Sequence, residues 1–281
     1  MATTTQLALP ARATGPIAQW HLLSLDAPTV AALWTWFIAR TNRIHLPLAT
    51  PAAMALAVWI LYALDRLLDA ARAHTDDELE PRHHFHHRNR RVFLTGIAFA
   101  AMALTAFLPR LNPYAIRCYL LEGALLVAWL LLVHTARSAH RLPKEIAVGL
   151  FFSAAVFIPT VAREPALRTA LMPSGILFAA LCSLNCLFIH AWEYRADSSP
   201  AHATTCLALA HLPTIAVSLA LAGAALAVAH SDMVPAACAL AALLLLFLHR
   251  NRALLTRTDL RAAADLALLT PILLLPVPLF R

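Results

Sequence analysis

Charge is what this sequence has least of. Only 13% of its 281 residues are Asp, Glu, Lys or Arg, where a water-soluble domain carries about a quarter. Glycine is also scarce, six residues against eighteen prolines, which argues against a Gly-rich nucleotide-binding core. The five cysteines (Cys118, Cys182, Cys186, Cys206, Cys238) form no CxxC pair. Cys182 and Cys186 stand one helical turn apart in one apolar run, so the cysteines read as small packing residues rather than metal or redox ligands. The first twenty residues lack a charged stretch followed by an apolar one and a small-residue cleavage site, so no secretory signal peptide is expected. Against these shortages stand 60% hydrophobic residues and a mean hydropathy of +0.68. Such an excess must face something other than water, which excludes a soluble enzyme, a disordered chain and a disulfide scaffold. The expected class is an all-α integral membrane protein.

About nine apolar segments recur, at 24–40, 46–64, 91–109, 112–134, 144–162, 170–192, 204–229, 232–249 and 259–280. Most reach the ~20 residues needed to cross ~30 Å of hydrocarbon. The first is short and carries Asp26; the last contains Pro271, Pro276 and Pro278. No internal repeat divides the chain, so residues 1–281 form one expected domain, with 1–22 as a cytoplasmic N-terminal segment and 65–91 as a cytoplasmic loop or lid. With nine spans and the N-terminus inside, 15 of the 22 Lys and Arg fall on the cytoplasmic side and 7 outside. That bias supports an N-inside, C-outside orientation in a cell membrane, the inner membrane of a bacterium being the expected location. Most of the net charge of +7 is then topological, and nucleic acid is not the expected partner. The same map brings most polar residues to one side: the ends of spans two and six, the start of span five and the 65–91 connection.

Span two ends in Tyr62-Ala63-Leu64-Asp65-Arg66-Leu67-Leu68-Asp69, with Asp65 and Asp69 four apart on one helical face. Span six ends with Glu193 and Asp197 at the same spacing, preceded by Asn185 and His190. Two facing carboxylate pairs supply the hard oxygen ligands with which Mg²⁺ holds a diphosphate. Interfacial acids also end helices and pair with arginine, and Arg66, Arg72 and Arg195 are near enough to do so. Ionisable residues at membrane depth are functional candidates by default.

These strings resemble the UbiA superfamily of intramembrane prenyltransferases. Its members have nine transmembrane helices and two Asp-rich motifs, at the cytoplasmic ends of helices two and six, that bind an isoprenyl diphosphate through Mg²⁺. The first family motif is Asn-Asp-x-x-Asp-x-x-x-Asp; this chain reads Leu61-Tyr62-x-x-Asp65-x-x-x-Asp69, keeping the last two aspartates. The second usually ends in Asp-x-x-x-Asp, here Glu193-x-x-x-Asp197. Lys144-Glu145 at the mouth of span five resembles a family lysine that contacts the diphosphate. Arg82 stands where the family often has Arg-Pro, with His83 in place of the proline.

Arg82-His83-His84-Phe85-His86-His87-Arg88 carries an HxxHH string. Membrane di-iron oxygenases use such boxes, but they need about eight histidines in three, and His134, His140, His190 and His202 have no box spacing. Two readings stay open: a basic loop on the anionic leaflet, or a lid whose cations complete a diphosphate pocket. A transition-metal site trails both.

The resemblance implies a nine-helix bundle with a central cavity open to the cytoplasm, and Mg²⁺-assisted transfer of an isoprenyl group from a polyprenyl diphosphate to a lipophilic acceptor. Asp65, Asp69, Glu193 and Asp197 would hold the metal. Lys144, with Arg82 or Arg141, would add positive charge at the leaving group. Tyr62, Arg66, Asn185 and His190 would line the substrate site. A membrane terpene cyclase on the same fold is one alternative; a non-catalytic, histidine-rich metal-binding or transport protein is another.

Overall fold

The computed structural model describes residues 16–72, 85–86, 88–135, 144–193 and 203–275, and the described residues are helical with no strand. In chain order the α-helices are α1 (Pro16–Leu22), α2 (Asp26–Thr41), α3 (Ala49–Arg72), α4 (Arg90–Phe107), α5 (Pro113–Thr135), α6 (Lys144–Arg163), α7 (Arg168–Glu193), α8 (Ala203–Ala210), α9 (Leu212–His230), α10 (Met233–Arg250), α11 (Arg257–Ala267) and α12 (Pro271–Leu274). Among the described residues, six helices (α3, α4, α6, α7, α9 and α10) are long and apolar enough to cross a membrane.

Two expected spans are interrupted. The seventh breaks at His211 into α8 and α9, where Pro213 occupies the first turn of the new helix and cannot donate backwards. The ninth becomes α11, a turn and the four-residue α12, again with proline in the opening turn. Prolines inside α6 and α7 do not break them. Pro159 lacks the N–H that would bond Ala155, and the freed Ala155 carbonyl instead accepts the Tyr119 hydroxyl at 3.2 Å. A neighbouring helix satisfying a freed carbonyl is how a membrane helix tolerates proline.

The bundle is built around α2 and α7. Helix α7 packs against α6, α9, α10 and α11, and α2 against α3, α6 and α11. Where α2 meets α7, Trp34 and Phe178 lie with ring centroids 4.3 Å apart, and the Trp34 indole N–H donates to the Leu268 carbonyl at 2.7 Å. Helices α6 and α7 approach closely because Gly149 faces the Ala179 carbonyl; a Cβ there would stand 2.4 Å from that oxygen. Helices α4 and α5 lie outside this core, α4 mainly on α3 and α5 on α6. All five cysteines are free, and Cys182 and Cys238 are buried in the core.

One end of the bundle collects the C-terminal ends of α3, α7 and α10 and the N-terminal ends of α2, α6 and α11. Polar contacts join them: Arg66 to α2, Asn185 and Glu193 to α11, His190 to α6, and Trp192 to His249 of α10 at 3.1 Å. At the other end Arg168 donates to the Tyr114 hydroxyl, and Asn112 to the Ala162 carbonyl.

Candidate functional site

The polar end has a buried centre. His21 closes α1 and Asp26 opens α2, and the His21 Nδ1 lies 2.5 Å from Asp26 Oδ2. Arg66 reaches in from α3, donating to the His21 carbonyl at 2.7 Å and to Asp26 Oδ2 at 3.4 Å. The Ala27 N–H donates to Asp26 Oδ1 at 3.0 Å. Asp265 comes from α11 and accepts the Asn185 side-chain N–H of α7 at 3.1 Å. His21, Asp26, Arg66 and Asn185 are buried and Asp265 is partly buried. One ligand atom from each of His21, Asp26 and Asp265 lies within 4.8 Å of the others, the one such His/Cys/Asp/Glu group among the described residues. A buried charge persists only when paired and hydrogen-bonded, which the Arg66–Asp26–His21 arrangement achieves.

Three expected substrate residues, Tyr62, Arg66 and Asn185, meet at this centre. Tyr62 and Arg66 are four apart, so they share one face of α3, and Tyr62 lies within electrostatic reach of Asp265 and Cys186. Asp65 and Asp69 lie on the adjoining face of the same helix and are exposed at its rim. Glu193 forms a partly buried ion pair with Arg261. His190 Nδ1 stands 3.3 Å from Glu145, whose other oxygen accepts the Thr205 hydroxyl at 3.1 Å. Lys144 is exposed at the first position of α6. Asp197, Arg82 and Arg141 lie outside the described residues.

The histidine string divides in the same way. His83, His84 and His87 lie outside the described residues. His86 is fully buried, stacked on Phe93 at 3.9 Å and with Nε2 3.1 Å from the Ser24 hydroxyl. It ties the segment before α4 to the α1–α2 turn.

Sequence reasoning singled out neither His21, Asp265 nor Arg261, and took Asp26 only as a weakness in the first span. Asp26 and Asp265 did carry a usable signal: each is an acid within an apolar segment, the class of residue that marks functional sites at membrane depth. Arg261 and Asp265 are one turn apart on α11, and they engage Glu193 and Asn185, two turns apart on α7. That spacing fixes α11 antiparallel to α7.

An apolar groove runs along the bundle from the Tyr114–Arg168 end towards this one. One part, of about 450 Å³, lies between α5, α6 and α7, and another, of about 340 Å³, between α6, α7 and α9. They share Leu150, Ile176 and Ala179, and the second finishes at Ile146 and Leu187, which in sequence are next to Glu145 and three residues from His190. Comparison with protein-family models, with curated proteins and with solved structures finds no match to this chain.

Proposed function

We propose that the chain is a UbiA-like intramembrane prenyltransferase with nine membrane segments, its N-terminus cytoplasmic, in a bacterial inner membrane, and a central cavity opening at the polar end. The observation that supports this best is the last turns of α3: Arg66 and Tyr62 point into the bundle, while Asp65 and Asp69 stand exposed one turn apart at its rim. Mg²⁺ keeps several of its waters and needs only one or two carboxylates beside substrate phosphates, so this pair alone fits it. When bound, the ion would neutralise charge on the leaving diphosphate.

This chain's own residues do the rest. Lys144 and Arg261 bring positive charge to the end where the diphosphate docks. The groove along α6 and α7 takes the isoprenyl chain and keeps water from the allylic carbon as its C–O bond breaks. The His190–Glu145 pair, adjacent in sequence to the Ile146 and Leu187 end of that groove, accepts the proton that the acceptor loses as the new bond forms. Glu193, held by Arg261, positions that guanidinium.

The test is purified protein in detergent with Mg²⁺ and a series of labelled polyprenyl diphosphates, read as diphosphate release and label in lipid. Release by the parent, abolished in Asp65→Asn and Asp69→Asn while both remain folded, is expected. No release with any chain length, or normal turnover in both variants, would overturn the reading.

A further inference from the structure

The buried centre carries two carboxylates, Asp26 and Asp265, against one guanidinium, Arg66. Charges taken out of water must be balanced nearby, so the centre has room for at least one more positive charge. A proton on His21, or one shared between the Asp26 and Asp265 carboxyl groups, would settle the charge. It would not settle Asn185, whose side-chain Oδ1 is buried without a hydrogen-bond partner among the described residues. The amide nitrogen of that group donates to Asp265 at 3.1 Å, so the orphaned oxygen belongs to a side chain in the wall of the same centre. An unsatisfied buried acceptor costs about 1–3 kcal/mol and calls for an explanation. A cation meets both needs at once.

We propose that His21, Asp26 and Asp265 bind one divalent first-row metal ion, with Asn185 Oδ1 adjoining it. This site is separate from the Asp65–Asp69 rim and does not depend on the prenyl-transfer reading. One imidazole with carboxylate and amide oxygens is a mixed nitrogen and oxygen set, which favours Zn²⁺ or Mn²⁺ over Mg²⁺. The carboxylate of Asp26 is already oriented by the Ala27 N–H and by Arg66, as outer hydrogen bonds orient the ligands of built metal sites. The three ligands come from α1, α2 and α11, so the ion would tie the first two described helices to the penultimate one.

The experiment uses the full chain in detergent with His83, His84 and His87 changed to Gln, so that these histidines cannot chelate. After chelation and exchange, the protein is titrated with ZnCl₂, MnCl₂ and MgCl₂, and retained metal and thermal stability are read. One Zn²⁺ or Mn²⁺ per chain with a rise in Tm is expected, and a much smaller response to MgCl₂. His21→Gln and Asp265→Asn should each weaken binding about a hundredfold or more. X-ray absorption on the Zn²⁺ form, which needs no variant of the site, should show a nitrogen and oxygen shell with a single imidazole. Less than one retained ion per chain, unchanged binding in both variants, or a shell holding sulfur or several imidazoles would overturn the proposal. So would stability that responds to pH but to no metal, since the centre would then hold only a proton.

Discussion

Helices α2 and α4 are both apolar, yet ten of the sixteen residues of α2 are buried and only Phe93 and Ala100 of the eighteen in α4. Hydrophobicity does not separate them, because lipid tails are as apolar as a protein core and an apolar side chain gains little by turning inward. Their polar groups do. In α4 the Thr105 hydroxyl donates to its own helix, at the Ala101 carbonyl, 2.8 Å away. In α2 the Asp26 carboxylate, beyond the Ala27 N–H, and the Trp34 N–H find their partners on other elements: His21, Arg66 and Leu268. A helix with such groups must sit where neighbours surround it. The polar residue, not the apolar one, selects the interior helices here.

The largest effect should come from breaking that rule at its strongest point. Arg66→Ala leaves Asp26 buried beside His21 without the guanidinium, and removing one partner of a buried ion pair costs about 3–5 kcal/mol. Unfolding in mild detergent should show a loss of that order. Phe99→Ala, on the exposed face of α4, should change stability by less than about 0.5 kcal/mol. Similar losses in the two variants would mean that α2 is not held inside by its polar groups.

Most of the helices were legible as hydropathy: the segments at 91–109 and 144–162 lie within two residues of Arg90–Phe107 and Lys144–Arg163. The interruptions at His211 and before Pro271 were not, since apolar character continues across both while the hydrogen-bond ladder stops. In the site, Tyr62, Arg66 and Asn185 were legible from their place at helix ends. Their partners were not, because pairing depends on which helices are neighbours. Leu268 is 234 residues from the Trp34 that bonds it, and Arg261 is 68 residues from Glu193. The Glu193–Asp197 spacing suggested a metal pair; in the fold Glu193 pairs with Arg261, and Asp197 lies outside the described residues.

Close approach of backbones is the second feature that separates core from rim, and it gives the next effect in size. Gly149→Ala drives a Cβ to within 2.4 Å of the Ala179 carbonyl and 2.9 Å of the Ser183 nitrogen. Neither is a flexible side-chain end, so α6 and α7 must separate, at about 1–3 kcal/mol. A thermal midpoint unchanged by this substitution would show that the two helices are not in backbone contact.

Trp34→Phe comes next. It keeps the aromatic ring against Phe178 but strips the donor from the buried Leu268 carbonyl, and an acceptor left dry costs about 1–2 kcal/mol. The loss should be carried by the turn between α11 and α12, so hydrogen exchange at 268–270 should rise more than exchange in α4.

The smallest effect is expected at Gly123 on α5, where a new Cβ would meet nothing within 4 Å. Gly→Ala in an exposed helix interior reduces the freedom of the unfolded chain and favours the helix, so Gly123→Ala should be neutral or stabilising by up to about 1 kcal/mol. The same chemical change at Gly149 has the opposite sign, which isolates backbone proximity from helix propensity in one pair of variants. A destabilised Gly123→Ala in membranes, with no such effect in detergent, would have a definite meaning. The face of α5 that presents Gly123 with Leu120 and Val127 would then be covered in the bilayer by another protein surface, and α5 would belong with the interior helices after all.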